Sequence, residues 1–126
     1  MRIDRIDHLV LTVSDVGRTV RFYVDVLGME EVRFGKGRKA LAFGRQKINL
    51  HQKGAEIDPK AFAPKPGSVD LCLIARTSLK QVAEELRTQG VYIELGPVKR
   101  TGASGEIESL YIRDPDRNLI EISNYK

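Results

Sequence analysis

The chain has 126 residues, 41% hydrophobic and 30% charged, which suits one soluble globular domain able to bury a core without disulfides or a structural metal. A single cysteine, Cys72, excludes an internal disulfide and a cysteine-based zinc site, and no apolar run approaches the ~20 residues of a membrane span. The net charge of +4 comes from 21 basic residues scattered among 17 acidic ones, without a base-stacking motif or recognition helix; that pattern argues against nucleic acid and favours a small anionic ligand. The start MRIDRID lacks the apolar region of a secretory signal, so a cytoplasmic location and no membrane association are expected.

The first predicted element is IDHLVLTV at 6–13. Alternation puts Ile6, His8, Val10 and Thr12 on one face and Leu9, Leu11 and Val13 on the other, so one face is aliphatic and the other carries an imidazole. A helix follows from Ser14 or Asp15, with Val16, Val20, Tyr23, Val24 and Leu27 along one side and Gly28 as its terminator. Short strands are predicted at 30–34, 39–43 and 47–51, joined by the turns GKG and GRQ. QKGAEIDPKAFAPKPG, with three of the five prolines, reads as a linker.

VDLCLIA at 69–75 echoes the first strand, with Asp70 in the place of His8. The second helix starts at Ser78 with Gln81 in capping-box spacing, buries Leu79, Val82, Ala83 and Leu86, and ends at Gly90. Gly28 and Gly90 are 62 positions apart, as are His8 and Asp70, so strand, helix and terminator keep one register in both halves. Strands are predicted at 91–95, 107–112 and 118–124, joined by the loop GPVKRTGASGE and the turn DPDRN. The expectation is therefore α+β: two tandem βαβββ modules, about 1–52 and about 68–126, forming a curved mixed sheet around a metal-site cavity within one domain spanning 1–126, with a linker at about 53–67.

The fourth strands repeat the alternation of the first. In KINLH, Ile48 and Leu50 oppose Asn49 and His51; in LIEISN, Ile120 and Ile122 oppose Glu121 and Ser123. With aliphatic residues toward the helices, His8, Asn49, His51, Asp70 and Glu121 share the inner surface. Singly, each has an ordinary structural explanation. Matched positions of a duplicated unit, all bearing groups that bind divalent metals, make a metal site the simpler account. Cys72, inside a strand with no activating partner, reads as a small core residue. The glycine-rich basic loop at 97–106 is read as a lid whose Arg100 reaches an anionic group, beside its alternative as a solvated connection.

HLVLTVSD with RFYVDVLGM in the first half, and DPDRNLIEISN closing the second, resemble the vicinal oxygen chelate superfamily, which holds glyoxalase I, extradiol dioxygenases, fosfomycin-resistance enzymes and bleomycin-resistance proteins. FGRQKINLHQKG, KPGSVDLCLI and GPVKRTGASGEIESLYIRDPDRNLIEISNY are similar to the subfamily of glyoxalase domain-containing protein 5 and its bacterial relatives, some called virulence proteins. The resemblance spans the whole chain and implies a homodimer. It also implies metal positions at His8, Asp70 and Glu121, with a fourth on KINLH. There Asn49 stands where glyoxalase I carries glutamate; His51 is favoured as the ligand because imidazole binds transition metals better than an amide, which leaves Asn49 to the substrate. Asp70 stands where the family most often has histidine.

Such a site would hold nickel, zinc, manganese or iron as a Lewis acid for two vicinal oxygens of a small, anionic substrate, with Glu121 as the catalytic carboxylate. The reaction expected is that of a glyoxalase-type lyase or isomerase. One alternative is an extradiol-type iron dioxygenase using His8, His51 and Glu121. The other is a metal-free drug-binding resistance protein, which would have no need of facing imidazoles and carboxylates. The metal retained by protein purified without chelators separates the three.

Overall fold

A computed structural model describes all residues 1–126, and they fall into two units, Met1–Pro66 and Gly67–Lys126. In the first, β1 (His8–Val13) leads into α1 (Val16–Asp25), followed by β2 (Glu30–Phe34), β3 (Arg38–Phe43) and β4 (Gln46–Gln52). The second repeats this with β5 (Asp70–Ile74), α2 (Leu79–Thr88), β6 (Leu95–Gly102), β7 (Gly105–Arg113) and β8 (Leu119–Tyr125). Each unit is a four-stranded mixed sheet, ordered β1-β4-β3-β2 and β5-β8-β7-β6, in which the first and last strands run parallel and the rest antiparallel. The α+β class and tandem βαβββ plan are those expected. Neither helix is long and apolar enough to cross a membrane.

Each helix is closed at both ends by local chemistry. Asp15 caps α1 by accepting from the Arg18 amide at 2.9 Å, and Ser78 caps α2 by accepting from the Gln81 amide at 3.3 Å. Gly28 and Gly90 both adopt the left-handed conformation, with φ of 69° and 71°, where a side chain would be strained. The aliphatic faces then close: Leu11, Val13, Leu41, Ile48 and Leu50 are buried with Val20 and Tyr23 of α1, while Leu110, Ile112, Ile120 and Ile122 are buried with Leu79, Ala83 and Leu86 of α2.

A second pair of caps was not anticipated. The Gln52 side chain, at the end of β4, accepts from the Val16 amide at 3.1 Å and donates to the Ser14 carbonyl at 2.7 Å. Asn124, near the end of β8, accepts from the Leu79 amide at 2.7 Å and donates to the carbonyls of Ala75 and Thr77. In each half the last strand thus satisfies the first backbone groups of the helix, which otherwise lack partners.

Three expectations are corrected. Residues 91–94 are not a strand: the Val91 amide bonds the Leu86 carbonyl as part of the helix exit, and only Glu94 reaches the sheet, through the Tyr111 carbonyl. Nor are residues 97–106 a loop, because β6 and β7 fill the segment as a hairpin turning at Ala103 and Ser104. As the edge of its sheet, β6 tolerates Pro97 and a charged, non-alternating sequence that gives no strand signal. Its bulge between Leu95 and Val98 needs Gly96, with φ of 116°, since a Cβ there would lie 2.4 Å from the Ser109 carbonyl oxygen. Finally, Cys72 is exposed on the polar face rather than buried in the core. The segment 53–66 belongs with the first unit, where Ile57, Asp58 and Pro59 line a pocket together with residues of β1 and β4.

Candidate functional site

In the first unit, His8 and Val10 of β1, Lys47, Asn49 and His51 of β4, Arg38 of β3 and Phe34 of β2 line one pocket of about 370 Å³. His51 and Asn49 are buried within it, at 4% and 5% exposure, whereas His8 is exposed. Asp7 holds the His8 ring by a 2.8 Å bond to Nδ1, leaving Nε2 open. That bond, ahead of the attraction of nearby cations, lowers the Asp7 pKa, so the carboxylate is firmly charged. A carboxylate behind an imidazole is the arrangement that orients metal-binding histidines. The Asn49 Oδ1 atom is buried without a hydrogen-bond partner.

In the second unit, Asp70 and Cys72 of β5, Glu121 and Ser123 of β8, Ser109 and Tyr111 of β7 and Arg100 of β6 share the face opposite α2 by strand parity and register. The Ser109 hydroxyl donates to Glu121 Oε2 at 2.6 Å and lies 2.7 Å from Ser123 Oγ, which in turn is 3.4 Å from Cys72 Sγ. Glu121 is therefore anchored through one oxygen. Desolvation of the sulfur, reinforced by the charges of Glu121 and Asp70, raises the Cys72 pKa against the opposing bond from Ser123. Cys72 thus stays a thiol near neutral pH. Arg100 is engaged rather than free: its Nε donates to the Tyr111 hydroxyl at 2.9 Å and its Nη1 to the Lys99 carbonyl.

The register settles which residue of KINLH matches Glu121. Asn49 stands opposite Val10 and Glu121 opposite Cys72, while Val10 and Cys72 hold the same place in the repeat. Asn49 is the counterpart of Glu121, and His51 that of Ser123. The predicted residues thus assemble unit by unit: His8, Asn49 and His51 around one pocket, Asp70 and Glu121 on one sheet face. No three His, Cys, Asp or Glu side chains form a group ready to hold an ion. Within the first unit, His8, with Nε2 left open, and His51 line one pocket, and two imidazoles are donors of the kind that divalent transition metals take. Sequence reading missed Phe34, Arg38, Lys47, Ser109 and Tyr111; parity with Asn49 and Glu121 along paired strands was the signal that places them on these faces.

A family model for the Glyoxalase/Bleomycin resistance protein/Dioxygenase superfamily matches residues 5–122. The chain belongs to that superfamily. It is 62% identical over 125 residues to virulence protein STM3117 of Salmonella typhimurium, covering 99% of this chain and 87% of that protein. The crystal structure of that relative superimposes with a TM-score of 0.99 at 61% identity, covering all of both chains. A glyoxalase domain-containing protein, RDO1 of Mycosarcoma maydis, is 53% identical over 126 residues, all of this chain and 71% of that one. Lactoylglutathione lyase from Agrobacterium tumefaciens shares the superfamily's fold at a TM-score of 0.76, with 23% identity and coverage of 98% and 96%.

Proposed function

We propose that the protein is a divalent-metal-dependent lyase or isomerase of glyoxalase type, acting as a cytoplasmic homodimer on a small anionic substrate. The metal ligands in this reading are His8 and His51 from the first unit and Asp70 and Glu121 from the second. The observation that carries it is the paired support of His8 by Asp7 and of Glu121 by Ser109, since a side chain fixed through one atom presents the other as a preset ligand. The bound metal, nickel, zinc, manganese or iron, would supply Lewis acidity toward two adjacent oxygens of the substrate.

The chain's own residues then set the reaction. The Glu121 oxygen that Ser109 does not hold can serve the metal or a proton but not both at once, so Glu121 would take or return a proton only when that oxygen is not a ligand. Ser109 keeps that carboxylate in one orientation and is itself tied to Ser123, so the proton-carrying atom does not wander. The Asn49 amide oxygen is free to accept from a substrate hydroxyl, which would supply the partner it lacks.

Metal content of protein purified without chelators tests the reading. About one ion per chain is expected, lost on His8→Ala or Glu121→Ala with the circular dichroism spectrum preserved. Asp7→Asn and Ser109→Ala should weaken metal affinity by about 10–100-fold, the usual effect of removing a group behind a ligand. Full metal content in both alanine variants refutes the assignment. Iron as the retained metal would move the reaction toward oxygenation.

A further inference from the structure

We propose that Arg38 and Lys47 form an oxyanion-binding subsite that grips the carboxylate or phosphoryl group of a small-molecule ligand. Only the identification of that ligand as a substrate rests on the function proposed above; the subsite itself rests on the geometry of the first unit.

The turn at Gly35–Gly37 brings Phe34 and Arg38 opposite each other as the closing pair of the β2–β3 hairpin. The Arg38 guanidinium carbon lies 4.7 Å from the centre of the Phe34 ring, and Lys47 Nζ lies 4.0 Å from the same centre. Lys47 comes from β4, with β3 between it and Phe34, and the small Ala40 and Ala42 of β3 on that face leave room for the reach. One ring therefore supports two cations, and both line the pocket that contains Asn49 and His51.

A ring face attracts a cation but gives its N–H groups no oxygen to bond. Arg38 Nε is buried without a hydrogen-bond partner, and neither Arg38 nor Lys47 takes part in any of the molecule's ion pairs. Two cations drawn to one ring repel each other, a repulsion that an anion reaching both would relieve, and a buried unpaired donor is costly. Both penalties are removed by one planar or tetrahedral oxyanion, for which a guanidinium fork is well shaped. The carboxylates at hand do not fill that role: Asp7 feels the Lys47 charge but is bonded to His8, and neither Asp7 nor Asp58, which lines the pocket, forms an ion pair with Arg38 or Lys47. Arg100, the cation singled out from the sequence for this task, belongs to the second unit, where its Nε and Nη1 bond Tyr111 and Lys99.

The test is calorimetric titration of inorganic phosphate, and separately of acetate, into chelator-treated protein, so that no bound metal competes for the anion. Wild type is expected to bind at least one of the two. Arg38→Gln and Lys47→Gln should each weaken that binding about tenfold or more, as loss of a charge-assisted contact does, while Lys80→Gln on α2 leaves it unchanged. Arg38→Lys keeps the charge without the fork and should fall between; it also replaces Arg38→Gln if that variant fails to fold, as Lys47→Met replaces Lys47→Gln. No binding by wild type, or equal affinity in the Arg38 and Lys47 variants, overturns the subsite. Metal content of the protein as purified, before chelator treatment, keeps the two readings apart: metal bound with anion affinity insensitive to Arg38 and Lys47 sinks only the subsite, and no metal bound with anion affinity lost in the Arg38 and Lys47 variants sinks only the metal chemistry.

Discussion

Asn49 and Glu121 hold the same position in the two halves, opposite Val10 and Cys72 respectively, yet only Glu121 has its side-chain oxygen satisfied within the fold. A buried amide oxygen without a donor costs roughly 1–3 kcal/mol relative to one that is bonded. Asn49→Leu, close in volume and apolar, should therefore stabilise the ligand-free protein by about 1 kcal/mol. Urea unfolding measures this directly. A loss of stability would mean that the amide is doing structural service instead of waiting for a ligand.

The equivalence of Gln52 and Asn124 makes a second prediction. Each lies at the end of its last strand and bonds the first turn of its helix, and Asn124 alone serves the Leu79 amide and two carbonyls. Asn124→Ala should cost about 2 kcal/mol, as loss of a helix cap together with its companion bonds does. Hydrogen exchange should show the first turn of α2 opening more often. Unchanged exchange there would place the stability of α2 in its apolar face alone.

These examples show where the sequence was readable. Alternation in β1, β4, β5 and β8 and the glycine terminators Gly28 and Gly90 are local signals, and they locate the repeat, both helices and the polar faces. The edge strand β6 was opaque because Pro97, Lys99 and Arg100 carry no strand pattern, and the apolar run before it drew the strand too early. Register was opaque too. A choice between Asn49 and His51 depends on how many residues fill a turn, and only the parallel pairing of β1 with β4 fixes it. Cys72 misled because burial was inferred from residue type, whereas its strand turns it toward Ser123 on the polar face.

Glu94 and Arg113 meet through two parallel bonds of 2.9 and 3.0 Å, bracing the entry to β6 against β7. The Arg113 bond, ahead of its charge, lowers the Glu94 pKa below the usual carboxylate value. A lowered folded-state pKa contributes stability above the ordinary range, and that contribution is lost as pH falls and the carboxylate is protonated. The difference in melting temperature between wild type and Glu94→Gln should thus be present at neutral pH and vanish once the pH falls below the lowered folded-state value, where the carboxylate is protonated. A difference that persists in acid would assign the effect to packing. The pair is solvent-exposed, so the difference is expected to be small and to shrink in salt.

His51 and Asp70 are the two ligand candidates between which the chemistry turns. His51 is buried at 4% exposure in a pocket it shares with His8, whereas Asp70 opens β5 as an exposed carboxylate in the repeat position of His8. With Asp70 as a ligand, two carboxylates favour a harder ion and Lewis-acid chemistry without redox; with His51 in its place, two imidazoles and one carboxylate suit ferrous iron and oxygen. We expect both to matter, Asp70 as a ligand and His51 as a ligand or its immediate support. Asp70→Asn and His51→Gln, each assayed for metal identity and ions per chain, separate the cases. A tenfold or greater loss of metal affinity in Asp70→Asn, with zinc, nickel or manganese bound in wild type, favours the lyase or isomerase. Full retention of metal by Asp70→Asn together with loss in His51→Gln would leave Asp70 as a strand-opening residue and make the oxygenase the better reading.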